Sequence, residues 1–130
     1  MTDSRKNTAA PHKALLLAAH GSRLQSSNEE FETLAGRISA SLQGDYDRVA
    51  TAFLELAEPG IDTVLDRLAT AGASEIRVKP CFLLAGTHVR NDIPAIVSAA
   101  RERHPEVRIE LLPHLAADDG FVEYLTALAR

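Results

Sequence analysis

Two histidines stand just beyond apolar segments of this 130-residue chain. The run 14–19 (ALLLAA) ends in His20-Gly21-Ser22-Arg23, and the stretch 75–94 (EIRVKPCFLLAGTHVRNDIP) delivers His88 after a Gly-containing turn. A third candidate, Glu55, closes the apolar segment 48–56 (RVATAFLEL). Neutral imidazole binds borderline divalent ions such as Co²⁺, Ni²⁺, Fe²⁺ or Zn²⁺, and it also accepts protons near neutrality. Two imidazoles and a carboxylate are too few for a closed structural site; they suit an open one that holds an ion and releases it.

Those residues need a scaffold that brings three segment ends together. The run 14–19 is apolar throughout, as in a strand buried on both faces. A capping box at Ser26-x-x-Glu29 predicts the start of a helix carrying Phe31, Leu34, Ala35, Ile38 and Leu42, stopped by Gly44. Residues 48–56 read as a second strand. Ile61, Val64, Leu65, Leu68 and Ala69 then form a helical stripe, with Gly72 as its stop.

A third strand is predicted over 76–84, with its pairing interrupted at Pro80 and with Arg77 and Lys79 on one face. Asp92 reads as the N-cap of a third helix, with Pro94 in its first turn and His104-Pro105 at its end. Val107, Ile109 and Leu111 alternate with Arg108 and Glu110, the pattern of an edge strand. Asp118 or Asp119 caps a last helix bearing Val122, Leu125 and Ala129.

Strand–helix alternation with short connections predicts an α/β, three-layer, doubly wound fold with a four-stranded, mainly parallel sheet. In the order 2-1-3-4, strands one and three are central neighbours, and ligands bind where the chain reverses, outside the carboxyl ends of the strands. His20 and His88 then face one another, with Glu55 and His114 on the same rim. Asp92, four residues after His88, is placed to orient it if it does not merely cap. His12 lies in the tail and His104 at a helix end, where a cation suits the dipole. Residues 1–12 read as a disordered tail, and 13–130 as a single domain.

Several function classes are excluded. The net charge is −4 and Trp is absent, so there is neither a basic footprint nor a stacking set for nucleic acid. The apolar run 14–19 is too short for a membrane span or a secretory core. Cys81 is the only cysteine, which rules out an internal disulfide, and its apolar surroundings make it a buried hydrophobe. No G-x-S-x-G surrounds Ser22, and neither a P-loop nor G-x-G-x-x-G occurs. A reducing cytoplasm fits. Metal insertion into a macrocycle matches the candidate chemistry, because pyrrole N–H protons must leave as the ion enters.

Three motifs, His20-Gly21-Ser22-Arg23, Phe53-Leu54-Glu55-Leu56-Ala57 with Pro59, and Pro80-x-Phe82-Leu83-x-x-Gly86-x-His88-x-x-x-Asp92-Ile93-Pro94, occur in that order. Together they resemble the short CbiX-type chelatases, the sirohydrochlorin chelatases of cobalamin and siroheme synthesis, over residues 13–130. The resemblance implies a class II chelatase fold and insertion of a divalent metal, usually Co²⁺ and in relatives Fe²⁺ or Ni²⁺, into sirohydrochlorin. It places metal ligation and proton acceptance on His20 and His88, with Glu55 in support.

The resemblance also implies a homodimer with the macrocycle in a cleft, a metal that is substrate, and no permanently bound cofactor. The substrate's carboxylates suit Arg23 and Arg90, which otherwise read as solvated surface charges. Ser22 caps a turn or binds a carboxylate. His114 lines the pocket, in a stretch (His114-Leu115-Ala116) that replaces the family's Leu-Gly. A non-catalytic carrier of metal or tetrapyrrole is the alternative function.

Overall fold

The computed structural model describes residues 12–130. β1 (Lys13–Ala19) pairs in parallel with β2 (Arg48–Phe53) on one side and with β3 (Glu75–Pro80) on the other. β4 (Arg108–Leu111) adds to β3, so the sheet has the expected order β2-β1-β3-β4, with every pair parallel. The helices are α1 (Gln25–Ser41), α2 (Ile61–Thr70), α3 (Thr87–Arg103) and α4 (Asp119–Leu128), the last preceded by a 3₁₀ turn at Leu115–Ala117.

β1 divides the core by its alternation. Ala14, Leu16 and Ala18 face α2 and α3, where Ile61, Val64, Leu65 and Leu68 meet Ile93, Val97 and Ala100. Leu15 and Leu17 face α1, against Phe31, Ala35 and Ile38. Burying a side chain such as Leu65, which is fully enclosed, stabilises the fold by about 1.5–3 kcal/mol. The α2 stripe therefore anchors the sheet, and Gly72 ends it at φ +106°, a left-handed backbone that glycine adopts without a Cβ penalty.

Arg77 and Lys79 share rows with Leu15 and Leu17, so they lie on the α1 side of the sheet. Both meet polar partners there, although Arg77 Nε, itself buried, makes no hydrogen bond. Arg77 Nε lies 3.4 Å from both Glu75 and Glu110 carboxylates. Lys79 Nζ donates to Pro113 O (2.7 Å) and to Asp118 Oδ2 (2.6 Å), tying β3 to the N-cap of α4. This half of the face is not covered by apolar packing. Asp118 caps α4 through Gly120 N–H, yet no residue of α4 is buried, and Val122, Tyr124, Leu125 and Leu128 are all more than half exposed.

Four element boundaries differ from expectation. β2 stops at Phe53, and the following segment bends. β3 stops at Pro80, because proline has no donor for the ladder; Leu83 and Leu84, expected within it, are exposed. α1 begins at Gln25 behind Leu24, with no side-chain cap, so the Ser26–Glu29 box does not form. α3 begins at Thr87 behind an extended Gly86, five residues before Asp92, which therefore lies inside the helix. Pro94 also falls inside, at a cost of about 3 kcal/mol in an ordinary helix interior. Ile93, Val97 and Ala100, together with the partly buried Val89, pack on the core and offset that cost.

Candidate functional site

The carboxyl ends of β1, β2 and β3 form one rim, and backbone pairing continues past the named strands to build the site. Leu54 N–H donates to Ala19 O (2.9 Å) and Glu55 N–H to His20 O (3.0 Å). Cys81 N–H donates to Ala18 O (2.7 Å) on the other side. His20 is thus gripped by its own peptide oxygen, directly beside Glu55. Their side chains meet: His20 Nε2 lies 3.3 Å from Glu55 Oε2, and both groups remain a little under half exposed.

Gly21 makes that proximity possible. Its φ is +97°, and a Cβ built there would lie 1.8 Å from Glu55 O. No side chain fits between the two loops. On the opposite side the His20 ring packs edge-on against Phe82, with centroids 6.2 Å apart and planes at 77°. Phe82 is itself buried, so the imidazole has a firm wall behind it and solvent in front.

Ser22 follows with a built turn. Its hydroxyl oxygen accepts Leu24 N–H (3.0 Å), the turn-capping alternative of the two read from sequence. Asn28, in the first turns of α1, accepts Ser22 N–H on Oδ1 (3.0 Å) and donates from Nδ2 to Ser22 O (2.9 Å). Sequence reasoning missed Asn28; the one available signal was a polar residue on the inward side of an amphipathic helix.

The remaining candidates sit around this centre. Phe82 also lines a cavity of about 360 Å³ between the start of α3 and the end of β4, together with Arg90, Ile93, Leu111 and His114. Arg90 and His114 therefore share one cavity, apolar apart from these two side chains. Arg90 is exposed and donates to Ala85 O (3.3 Å). Arg23 is exposed beside the His20 loop. His88 is the second residue of α3, and its side chain lies outside the described residues.

Glu55 lies two residues beyond β2 rather than at its end, but on the expected rim. Cys81 is partly buried, and burial pushes its thiol pKa up, which keeps it protonated and unreactive. Among the described residues, no group of three or more His, Cys, Asp or Glu is arranged to hold a metal. His20 and Glu55 offer two donors.

Residues 14–130 match the CbiX family model. The chain belongs to the CbiX family. It is 35% identical over 89 residues to the sirohydrochlorin cobaltochelatase of Methanopyrus kandleri, covering 68% of this chain and 61% of that one. It is 31% identical over 111 residues to the sirohydrochlorin ferrochelatase of Bacillus subtilis, covering 85% of this chain and 42% of the relative. These matches thus span less than two thirds of each relative's length. The crystal structure of a CbiX protein from Marinobacter aquaeolei VT8 superposes with a TM-score of 0.72 at 31% identity, covering 90% of this chain and 93% of that one. The CbiX chain thus shares its fold with a protein of comparable length and with part of longer ones.

Proposed function

We propose that this protein is a sirohydrochlorin chelatase that inserts a divalent metal, Co²⁺ first and Fe²⁺ or Ni²⁺ as alternatives, into the macrocycle. The observation that carries the reading is the His20–Glu55 pair, 3.3 Å apart and open to solvent at the switch point of a CbiX sheet. Relatives named cobaltochelatase and ferrochelatase support the same chemistry with two different metals.

Insertion exchanges one M²⁺ for two pyrrole N–H protons, so the site must offer a ligand to the ion and a sink for the protons. His20 presents Nε2 to the incoming ion or to a leaving proton, and Glu55 relays the released protons to bulk water from its exposed carboxylate. His88 supplies the second imidazole from the first turn of α3. The flat macrocycle lies over the rim, with its carboxylates on Arg23 and Arg90 and one edge toward the His114 cavity. Ser22 acts by shaping the loop that holds His20. The metal is substrate, and no cofactor is permanently bound.

A second copy of the chain completes the cleft. Two features support a homodimer: α4 leaves Val122, Tyr124, Leu125 and Leu128 exposed, and the B. subtilis relative has more than twice the matched length. Contiguous apolar surface of this kind marks interaction sites. The protein acts in the cytoplasm on a soluble tetrapyrrole, without nucleic acid or membrane; among the described residues no helix is long and apolar enough to cross a bilayer.

The test is metal insertion by His20→Ala, His88→Ala and Glu55→Gln variants, followed by absorbance under anaerobic conditions. Loss of insertion in the two histidine variants, with folding intact by circular dichroism, is the expected result. Binding of the macrocycle without accelerated insertion by the unsubstituted protein would mark a carrier and overturn the enzyme.

A further inference from the structure

Asn28 is the one buried polar side chain among the described residues, 6% exposed. Asparagine is an unfavourable choice inside a helix, and an unsatisfied amide at such a depth is costly. Here both ends of the amide are used on the same residue, Ser22: Oδ1 accepts its N–H (3.0 Å) and Nδ2 donates to its C=O (2.9 Å). The arrangement copies a strand ladder with a side chain, and it fixes one peptide segment in both position and direction. That segment is two residues from His20.

Between them stands Gly21, at φ +97° and hard against Glu55 O. Two restraints therefore define where the His20 loop can go. Pairing with Leu54 and Glu55 holds its start, and Asn28 holds its end. Without Asn28, the left-handed Gly21 becomes a swivel and leaves His20 free to leave Glu55.

We propose that Asn28 is a positioning residue for metal insertion, acting through Ser22 and Gly21 to hold His20 Nε2 against the Glu55 carboxylate. The inference rests on the chelatase reading and adds to it a residue on α1 that touches neither metal nor macrocycle. Its energetic logic is orientation: a displacement of about 1 Å at a reacting group can cost on the order of 10²-fold in rate.

The experiment compares unsubstituted protein, Asn28→Ala, Asn28→Asp and Ala35→Gly in anaerobic Co²⁺ insertion into sirohydrochlorin, with kcat and KM separated. Folding is checked by circular dichroism and thermal melting. Asn28→Ala should lose about tenfold or more in kcat, with KM for the macrocycle little changed, because only the reacting group is displaced.

Asn28→Asp keeps the acceptor but puts an ionised oxygen against Ser22 O. With the donor to Ser22 O lost, it should also lose kcat while KM for the macrocycle stays little changed. Ala35→Gly, buried on the same helix, loosens α1 without touching Ser22 and should leave kcat unchanged.

A folded Asn28→Ala variant with normal kcat, beside an active unsubstituted protein, overturns the inference and leaves the chelatase standing. So does a kcat loss that Ala35→Gly reproduces. If Asn28→Ala fails to fold, Asn28→Asp decides by the same separation of kcat from KM: a folded Asn28→Asp variant with normal kcat overturns the inference. No acceleration by the unsubstituted protein overturns the chelatase reading and this inference with it.

Discussion

Replacing Gly21 with alanine tests the geometry of the site most severely for the smallest chemical change. The added Cβ would start 1.8 Å from Glu55 O, and that oxygen belongs to the backbone, so no rotamer change relieves the contact. Reaching even a 3.0 Å separation requires a retreat of roughly 1.2 Å by one of the two loops, a displacement on the scale that costs about 10²-fold in rate.

The left-handed φ of +97° adds about 1–2 kcal/mol for a residue with a Cβ. The separation also weakens the Leu54–Ala19 and Glu55–His20 backbone bonds, each contributing about 1 kcal/mol. The total, about 3–4 kcal/mol, is below the 5–15 kcal/mol typical of a domain, so the variant should remain folded at 25 °C. We predict a melting temperature lower by about 10 °C and an insertion rate lower by about 100-fold per folded molecule. The assay pairs a thermal melt with anaerobic Co²⁺ insertion followed by absorbance. A Gly21→Ala protein that melts within a degree or two of the original and inserts metal at full rate would refute the account of how His20 meets Glu55.

Two further predictions concern stability and assembly. His104 Nε2, 2.7 Å from Asp66 Oδ1, and then Arg103 hold the Asp66 carboxyl below the usual carboxylate range, so its folded pKa is depressed. That pairing contributes stability above the unfolded carboxylate pKa of about 3.9 and loses it as pH falls through the lower folded value. Asp66→Asn should therefore lower the melting temperature near neutrality, with a difference that vanishes in strong acid; a gap that persists there would contradict the assignment. Leu125→Asp, on the exposed stripe of α4, should convert a dimer to a monomer in sedimentation, whereas an unchanged oligomeric state would place the interface elsewhere.

Legibility from sequence followed locality. β1 and the α2 stripe were readable because each carries an unbroken apolar pattern that tertiary contacts only confirm. Strand–helix alternation implied a parallel sheet, and the order 2-1-3-4 supposed for it, which the structure has, places His20, Glu55 and His114 on one rim. Boundaries failed where a local signal met a distant one. Asp92 and Pro94 look like a helix start, but Ile93, Val97 and Ala100 already belong to a helix that packing on the core extends back to Thr87. Leu83 and Leu84 look like strand residues, yet Pro80 ends the ladder before them.

The contacts of Arg77 and Lys79 depended on Glu110, Pro113 and Asp118, more than thirty residues away. Asn28 was overlooked for a different reason, since its partner Ser22 is only six residues away. Its role is a hydrogen-bond pair with the loop after the preceding strand, and a polar residue on the inward side of α1 does not by itself name that partner. Ser26-x-x-Glu29 supplied a competing local signal, whereas the helix starts at Gln25 behind Leu24, whose N–H is held by Ser22 Oγ.

The most direct measurement is the anaerobic initial rate of Co²⁺ insertion into sirohydrochlorin, with and without protein, repeated with Fe²⁺ and with the His20→Ala variant. The account predicts a rate well above the spontaneous one for the intact protein and a return to the spontaneous rate when His20 is removed from a folded chain. An intact protein that binds the macrocycle saturably yet leaves the insertion rate unchanged would contradict it.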